Sequence, residues 1–340
     1  MARMLIDCMV SAGYQVEVAS QLRVFFRESE NESYKTEILQ QARVEVERLG
    51  EIWSTNGAPD LWFCYHPYFK SPDLIGPELC GAFEIPYFSA EASYSARRNK
   101  GVWRDMQARV LASVERAAVN ICFTARDMSG LRAASPTVYL ERLQPFIDAD
   151  TGGELPRQLT PCQLVTAAMM RSGDKLESYA RLAASLELLL HLPWNLSIIG
   201  HGPMHDTVVE LFKRIPSERL SWHGQQDSDG VAALFRQSSL YLWPGCGEAY
   251  GLAYLEAQAA GLPVVAYDTA GVPEVVASGV GGVLTPLNDD VAYAKAIEDL
   301  IIDEQKYTRL SLGARACVRE RHSLDQASRR LKSIIQRYVG

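Results

Sequence analysis

The sequence predicts an α/β protein of two doubly wound domains, each a parallel sheet covered by helices, facing one another across a cleft. Three observations carry that prediction. Short apolar runs alternate with periodic helical stretches along almost the whole chain. The alternation pauses once, near the middle, in a segment rich in Gly, Pro and acidic residues. In the second half a glycine turn opens a helix directly after a buried strand, the arrangement with which such sheets hold ligands.

Taken in order, "YQVEVAS" (14–20) alternates like a strand, and Ile38, Leu39, Ala42, Val46 and Leu49 recur at helical spacing over 34–49. "PDLWFCY" reads as a strand, "DLIGPELCGAF" as a short helix and "IPYFSAE" as a strand. "VWRDMQARVLASVERA" is a helix and "VNICFTA" a strand. Buried parallel strands read as continuous apolar runs because both of their faces are covered. The segment 146–161, "FIDADTGGELPRQLTP", has no periodicity and is the expected linker. Alternation resumes with "QLVTAAMM", the helix "LESYARLAASLELLL", and the strands "NLSIIG", "RLSWHG", "SLYLWP" and "LPVVAYD". After Asn288 the pattern is helical almost to the end. The expected boundaries are 1–150, 151–315 and a C-terminal helix over 316–340 that crosses back toward the first domain. The first element is a helix with no strand before it, so the first domain is expected to lack its first strand, or Met1 is an internal methionine of a longer product.

Composition narrows the function. The 340 residues are 47% hydrophobic and 22% charged, enough for a sizeable core in each of two domains. A net charge of −7 disfavours nucleic acid, whose phosphates call for a basic surface. The seven cysteines are scattered and form no CxxC pair, which points to a reducing compartment without disulfides or a zinc site. No apolar run reaches the roughly 20 residues that span a bilayer, and Asp7 interrupts the only stretch resembling a signal peptide. The expected location is cytoplasmic, with peripheral contact at the inner face of the membrane as a further option.

The chemistry concentrates in 243–268, "WPGCGEAYGLAYLEAQAAGLPVVAYD". The glycines permit a sharp turn and a close backbone approach, and a helix is expected from Leu252 to Ala260. A helix N-terminus offers free N–H groups and a positive dipole end to a phosphate. Glu248 in the turn and Glu256 one turn into the helix can each accept paired hydrogen bonds from vicinal hydroxyls. Phosphate-binding amides flanked by two such carboxylates describe a nucleotide-sugar site. The bland alternatives are a dipole partner for Glu248, worth ~0.3–1 kcal/mol, and a solvated helix face for Glu256. Trp62, Trp222 and Trp243 read as core.

This stretch resembles the signature of retaining GT-B glycosyltransferases of family 4: "EAYGLAYLE" followed by "AAGLPVV". "AGVPEVVASGVGGVLTP", "SIIGHGP" and "MMRSGDK" are similar to further blocks of that family, in the family's order. The resemblance implies a GT-B fold of two Rossmann-like domains, with a nucleotide-diphosphate sugar as donor and no metal or other cofactor. It implies that Glu256 holds the donor ribose, and that Glu248 meets the donor sugar near the anomeric carbon. The amides of Tyr250, Gly251 and Leu252 would hold the distal phosphate. Arg171 and Lys175, at shorter spacing than the family's, would neutralise the diphosphate, with Gly202 in the Gly-x-Gly turn beside them. On the acceptor side, His66 and Glu91 stand near positions where the family carries histidines and complete the candidate catalytic set. The reaction implied is transfer of a hexosyl group to a hydroxyl of a sugar, lipid-linked or small-molecule acceptor, with retention. Two other classes stay open: a nucleotide-sugar-binding protein without transfer activity, and an epimerase or hydrolase of the same fold.

Overall fold

The computed structural model describes residues 1–27, 32–101, 103–152 and 159–339. The chain divides into two compact units, Met1–Gln144 together with the residues from Ala327 onward, and Pro145–Gln326. The change of unit thus falls before Phe146, which is itself buried, and part of the expected linker (153–158) lies outside the described residues.

The first unit begins with α1 (Ala2–Ser11) and α2 (Glu32–Asn56). There follow β1 (Trp62–Tyr65), α3 (Gly76–Ala82), β2 (Tyr87–Ala90), α4 (Trp103–Arg116), β3 (Val119–Cys122), α5 (Ala125–Ala134) and β4 (Leu140–Arg142). The four strands form a parallel sheet in the order β1-β2-β3-β4. The two inner strands are buried throughout, which is why they read as unbroken runs. Their polar members satisfy one another: Ser89 Oγ donates to Asn120 Oδ1 (2.6 Å), and Asn120 Nδ2 donates to the Val114 carbonyl (2.9 Å). Helix α4 buries Trp103, Met106, Val110 and Val114, three and four residues apart.

The strand expected over 14–20 does not form. At its end two polar groups bond to α2: Ser20 Oγ donates to Glu45 (2.7 Å), and Arg48 donates to the Ala19 carbonyl (2.9 Å). Alternation alone does not make a strand where side chains supply the partners. Among the described residues, the first strand of the unit is therefore β1.

The second unit contains β5 (Cys162–Ala167), α6 (Asp174–Glu187), β6 (Trp194–Ile199), α7 (His205–Leu211), β7 (Leu220–Gly224) and α8 (Ser228–Arg236). It continues with β8 (Leu240–Leu242), α9 (Leu252–Ala259), β9 (Val264–Tyr267), β10 (Gly282–Thr285), α10 (Asp290–Ile302) and α11 (Glu304–Cys317). Its six strands are parallel, in the order β10-β9-β8-β5-β6-β7. The chain winds from β5 to one side through β6 and β7, then returns to the other side of β5 with β8. That reversal puts the topological switch point at the carboxyl ends of β5 and β8.

The last helix, α12 (Leu324–Val339), starts in the second unit and packs in the first from Ala327 on. It lies against β4, where the carboxylate of Glu141 accepts from Arg330 (2.6 Å), Arg337 (2.5 Å) and Tyr338 Oη (3.3 Å). All seven cysteines are free thiols. Among the described residues no helix is long and apolar enough to cross a membrane, and no cluster of three or more His, Cys, Asp or Glu could hold a metal.

Candidate functional site

Two loops meet at the switch point of the second unit: residues 168–173 after β5 and residues 243–251 after β8. The turn after β6 presses onto the first. A Cβ at Gly200 would stand 1.9 Å from the Ala168 carbonyl oxygen, and one at Gly202 would stand 2.3 Å from that of Met170. Only glycine lets these backbones approach, and paired amides lock them: Met170 N–H donates to His201 and Met204 N–H to Met170. Gly202 is thus a packing requirement of the loop that carries Arg171.

The second loop starts at Trp243, 2% exposed, just past the end of β8. Its indole N–H donates to Glu248 Oε2 (3.4 Å), and Lys175 Nζ donates to the same oxygen (2.5 Å). The ammonium also lies 5.4 Å from the Trp243 ring centre, a cation–π distance. Tyr179 of α6 braces the ring edge-on at 4.9 Å and anchors its hydroxyl on the Ala168 carbonyl. Glu248 is therefore held from two sides, with its side chain mostly buried. Its backbone is equally fixed: its N–H donates to Gly245, and its carbonyl accepts from Gly271. At Gly271 an added Cβ would sit 1.4 Å from the Ala249 oxygen, so only glycine fits there.

Helix α9 opens from this turn. Thr124, Asp227, Asp289 and Asp303 cap α5, α8, α10 and α11 with side-chain oxygens. The α9 N-cap is Gly251, at φ +75°, which supplies no such oxygen, and the first turn of α9 holds no acidic residue. An N-terminus without an internal anion leaves its N–H groups and dipole to a ligand. Tyr250 is buried just before this opening, and Leu252 begins the helix.

Glu256 follows one turn in. By area it is exposed, yet protein crowds it from most directions, as for a group inside a concavity. Thinned hydration there raises its pKa above the ordinary carboxylate value. No hydrogen bond or ion pair engages its carboxylate among the described residues. Tyr241 lies fully buried behind the loop; burial, and after it the charges of Glu248 and Glu256, raise its pKa. The fields of the two carboxylates therefore converge on one place.

The structure brings Lys175, Glu248, the α9 opening and Glu256 to one end of one sheet. Arg171 lies on the same β5 loop but is exposed and makes no ion pair among the described residues. Trp243 is the member of this arrangement that sequence reasoning assigned to the core alone. It is core by burial, but its indole edge positions a carboxylate, and only its place at the end of an apolar strand, just before the turn, hinted at that.

In the first unit, His66 and Glu91 each follow directly after a strand, β1 and β2. Both are non-glycine residues in the left-handed region, at φ +59° and +56°. Such a backbone costs about 1–3 kcal/mol and persists where the surroundings enforce it. Here His66 N–H donates to Ala90 (2.7 Å) and Glu91 N–H to Ile121 (2.8 Å), which extends the ladder one residue past each strand. The side chains face each other, His66 Nδ1 and Glu91 Oε2 being 3.7 Å apart. Both atoms are buried, and neither makes a hydrogen bond.

Residues 172–316, most of the second unit, match the family described as glycosyl transferases group 1. The chain is 30% identical over 151 residues to the N-acetyl-alpha-D-glucosaminyl L-malate synthase of Bacillus anthracis, covering 44% of this chain and 38% of that protein. To the D-inositol 3-phosphate glycosyltransferase of Xylanimonas cellulosilytica it is 26% identical over 209 residues, 59% of this chain and 50% of that protein. The chain thus spans half or less of the length of these relatives. The structure of Anabaena HepE in complex with UDP superimposes with a TM-score of 0.69 at 15% identity, over 86% of this chain and 82% of that one. The fold is GT-B, with two Rossmann-like domains. The matched stretch contains Lys175, Gly202, Trp243, Glu248 and Glu256, and Arg171 precedes it by one residue.

Proposed function

We propose that the protein is a glycosyltransferase that moves a hexosyl group from a nucleotide-diphosphate sugar to an acceptor hydroxyl, with retention at the anomeric carbon. One observation carries this reading. An uncapped helix N-terminus, a carboxylate clamped between Lys175 and Trp243, and a second, unpartnered carboxylate share the switch point of one sheet. Relatives of the matched domain are named as glycosyltransferases, and a structural neighbour was solved with UDP.

In this reading the amides at Tyr250, Gly251 and Leu252 meet the distal phosphate. Glu256 accepts from the ribose hydroxyls, for which its free carboxylate is suited. Lys175 and Arg171 balance the charge that grows on the diphosphate as it leaves. Lys175 is then shared between Glu248 and the phosphates. Glu248 lies beside the donor sugar, where a carboxylate stabilises positive charge at the anomeric carbon. The bond from that carbon to the diphosphate breaks, and the bond to the acceptor oxygen forms on the same face. The departing phosphate oxygen takes the acceptor's proton, so no protein nucleophile is required. His66 and Glu91, with unsatisfied polar atoms facing each other, receive the acceptor hydroxyl.

Thermal unfolding with UDP, GDP, ADP and CMP tests the donor half. A ligand at ~100 times its Kd adds about 2.7 kcal/mol of stability, so one nucleotide should raise Tm clearly in the wild type and much less in Glu256→Ala. Equal shifts in the two proteins would remove the ribose assignment.

A further inference from the structure

The chain is acidic overall, yet the loops at the carboxyl ends of β1 and β2 are not. The described residues of these loops, 66–75 and 91–101, hold four cations (Lys70, Arg97, Arg98 and Lys100) against two carboxylates, Glu91 and Asp73, and Asp73 is taken up by the Trp62 indole N–H (2.9 Å) and the amides of Ile75 and Gly76 (3.0 and 2.8 Å). Among the described residues, none of these four cations makes an ion pair. Past the second loop, in α4, Asp105 is occupied by Lys35 (3.3 Å) and Arg109 (3.6 Å).

Two of the cations are positioned. Tyr68 and Ser71 exchange backbone hydrogen bonds (3.2 and 2.8 Å), making a tight turn with Phe69 and Lys70 at its tip. The Phe69 ring is braced edge-on at 5.0 Å by Trp103, which is buried. Lys70 Nζ lies 5.7 Å and Arg98 Cζ 5.1 Å from the centre of that ring. Ser93 N–H donates to Pro67 (3.0 Å), which ties the two loops together, and the buried Gln107 of α4 donates to the Ser95 carbonyl (2.5 Å), which ties the second loop to that helix. The cationic turn is continuous with the His66–Glu91 pair through ring contacts, His66 to Tyr68 at 4.8 Å and Tyr68 to Phe69 at 5.5 Å.

We propose that the acceptor carries an anionic group, a phosphate or a carboxylate, which Lys70 and Arg98 bind over Phe69 while its hydroxyl reaches the His66–Glu91 pair. This rests on the transferase reading above and names the substrate class of its acceptor side. Cations fixed on a braced ring lose less freedom on binding than free side chains do, and unpaired they present their full charge to an anion. A small soluble anion fits better than a lipid surface, because among the described residues no large hydrophobic of these two loops is exposed, and none of them would enter a bilayer.

The test is calorimetric binding to the full chain at one fixed salt concentration, with glucose, glucose 6-phosphate and inorganic phosphate as probes. The proposal expects glucose 6-phosphate to bind at least tenfold more tightly than glucose, and inorganic phosphate to compete with it. The double variant Lys70→Gln, Arg98→Gln should lose that tenfold preference. The double variant Lys213→Gln, Arg214→Gln, which removes two exposed cations of the other unit, should keep it. Equal binding of glucose and glucose 6-phosphate overturns the proposal, as does an equal loss in both double variants. Binding to phosphatidylglycerol vesicles but to neither free anion also overturns it, and assigns the patch to a membrane surface. UDP binding, measured alongside, separates the two readings. Its absence from the wild type strikes the donor assignment, whereas intact UDP binding with no anion preference strikes this one alone.

Discussion

The sheets of the two units end in opposite kinds of polar surface. In the second unit the groups around the switch point are already engaged with one another. Lys175 and Trp243 hold Glu248, and glycines at 200, 202 and 271 bring backbones closer than any side chain would allow. In the first unit the polar groups are left waiting: His66 and Glu91 are strained and unsatisfied, and the nearby cations are unpaired. A ligand with constant chemistry, such as a nucleotide diphosphate, suits a site built largely of backbone and fixed by glycine. A ligand that differs between members of a family suits one built of replaceable side chains.

The largest effect expected from breaking this contrast is at Gly271. Gly271→Ala drives a Cβ into the Ala249 carbonyl, where a backbone has to move, and should cost about 3 kcal/mol of stability. Chemical denaturation reads this directly, and a cost below 1 kcal/mol would mean that the turn is softer than its contacts imply. Next, Glu248→Gln should lower transfer by about 10²-fold, the scale on which a single group aimed at developing charge acts. UDP affinity should hold or rise in this variant, because Lys175 is freed toward the diphosphate. A parallel fall in UDP affinity would recast Glu248 as a structural counter-ion.

Glu256→Gln should weaken UDP by about tenfold, in line with the loss of charge-assisted hydrogen bonds worth about 1.5 kcal/mol, and it should also change the pH response. The raised pKa means that the folded chain keeps this proton to higher pH than the unfolded chain does. Ionisation of Glu256 therefore lowers stability as pH rises from 4.5 through the raised value. UDP affinity runs the other way over that window, since ribose hydroxyls need the ionised acceptor. The Gln variant should flatten both trends, and an unchanged pH profile would exclude Glu256 from the ribose. The smallest effect is at His66: His66→Gly relieves a left-handed side chain and should stabilise the fold by about 1 kcal/mol while reducing turnover. Unchanged turnover would leave His66 only its role in the loop.

The same contrast explains what could be read from sequence. β8 and β9 are contiguous apolar runs, β5 and β6 are mostly apolar, and the Glu248–Glu256 spacing lies within one βαβ unit, so both the strands and the spacing were legible. The Lys175–Glu248 contact joins residues 73 apart, and no local pattern announces it. The strand expected over 14–20 failed for a similar reason: Glu45 and Arg48, far along the chain, bond to two polar groups at its end. Edge strands β4 (Leu-Glu-Arg) and β10 (Gly-Val-Leu-Thr) mix charged, polar or glycine residues with few apolar ones, so no apolar run marks them. His66 and Glu91 were marked by position, but their strain and mutual approach follow only from two loops being held side by side.

The return of α12 to the first unit governs the order of synthesis. Domains generally fold as units while the chain is still being made, the N-terminal one first. Here the arginines that close on Glu141 are made only after the whole of Pro145–Gln326. On the ribosome the second unit can therefore finish first, while the earlier-made unit stays open along β4 until the last helix arrives.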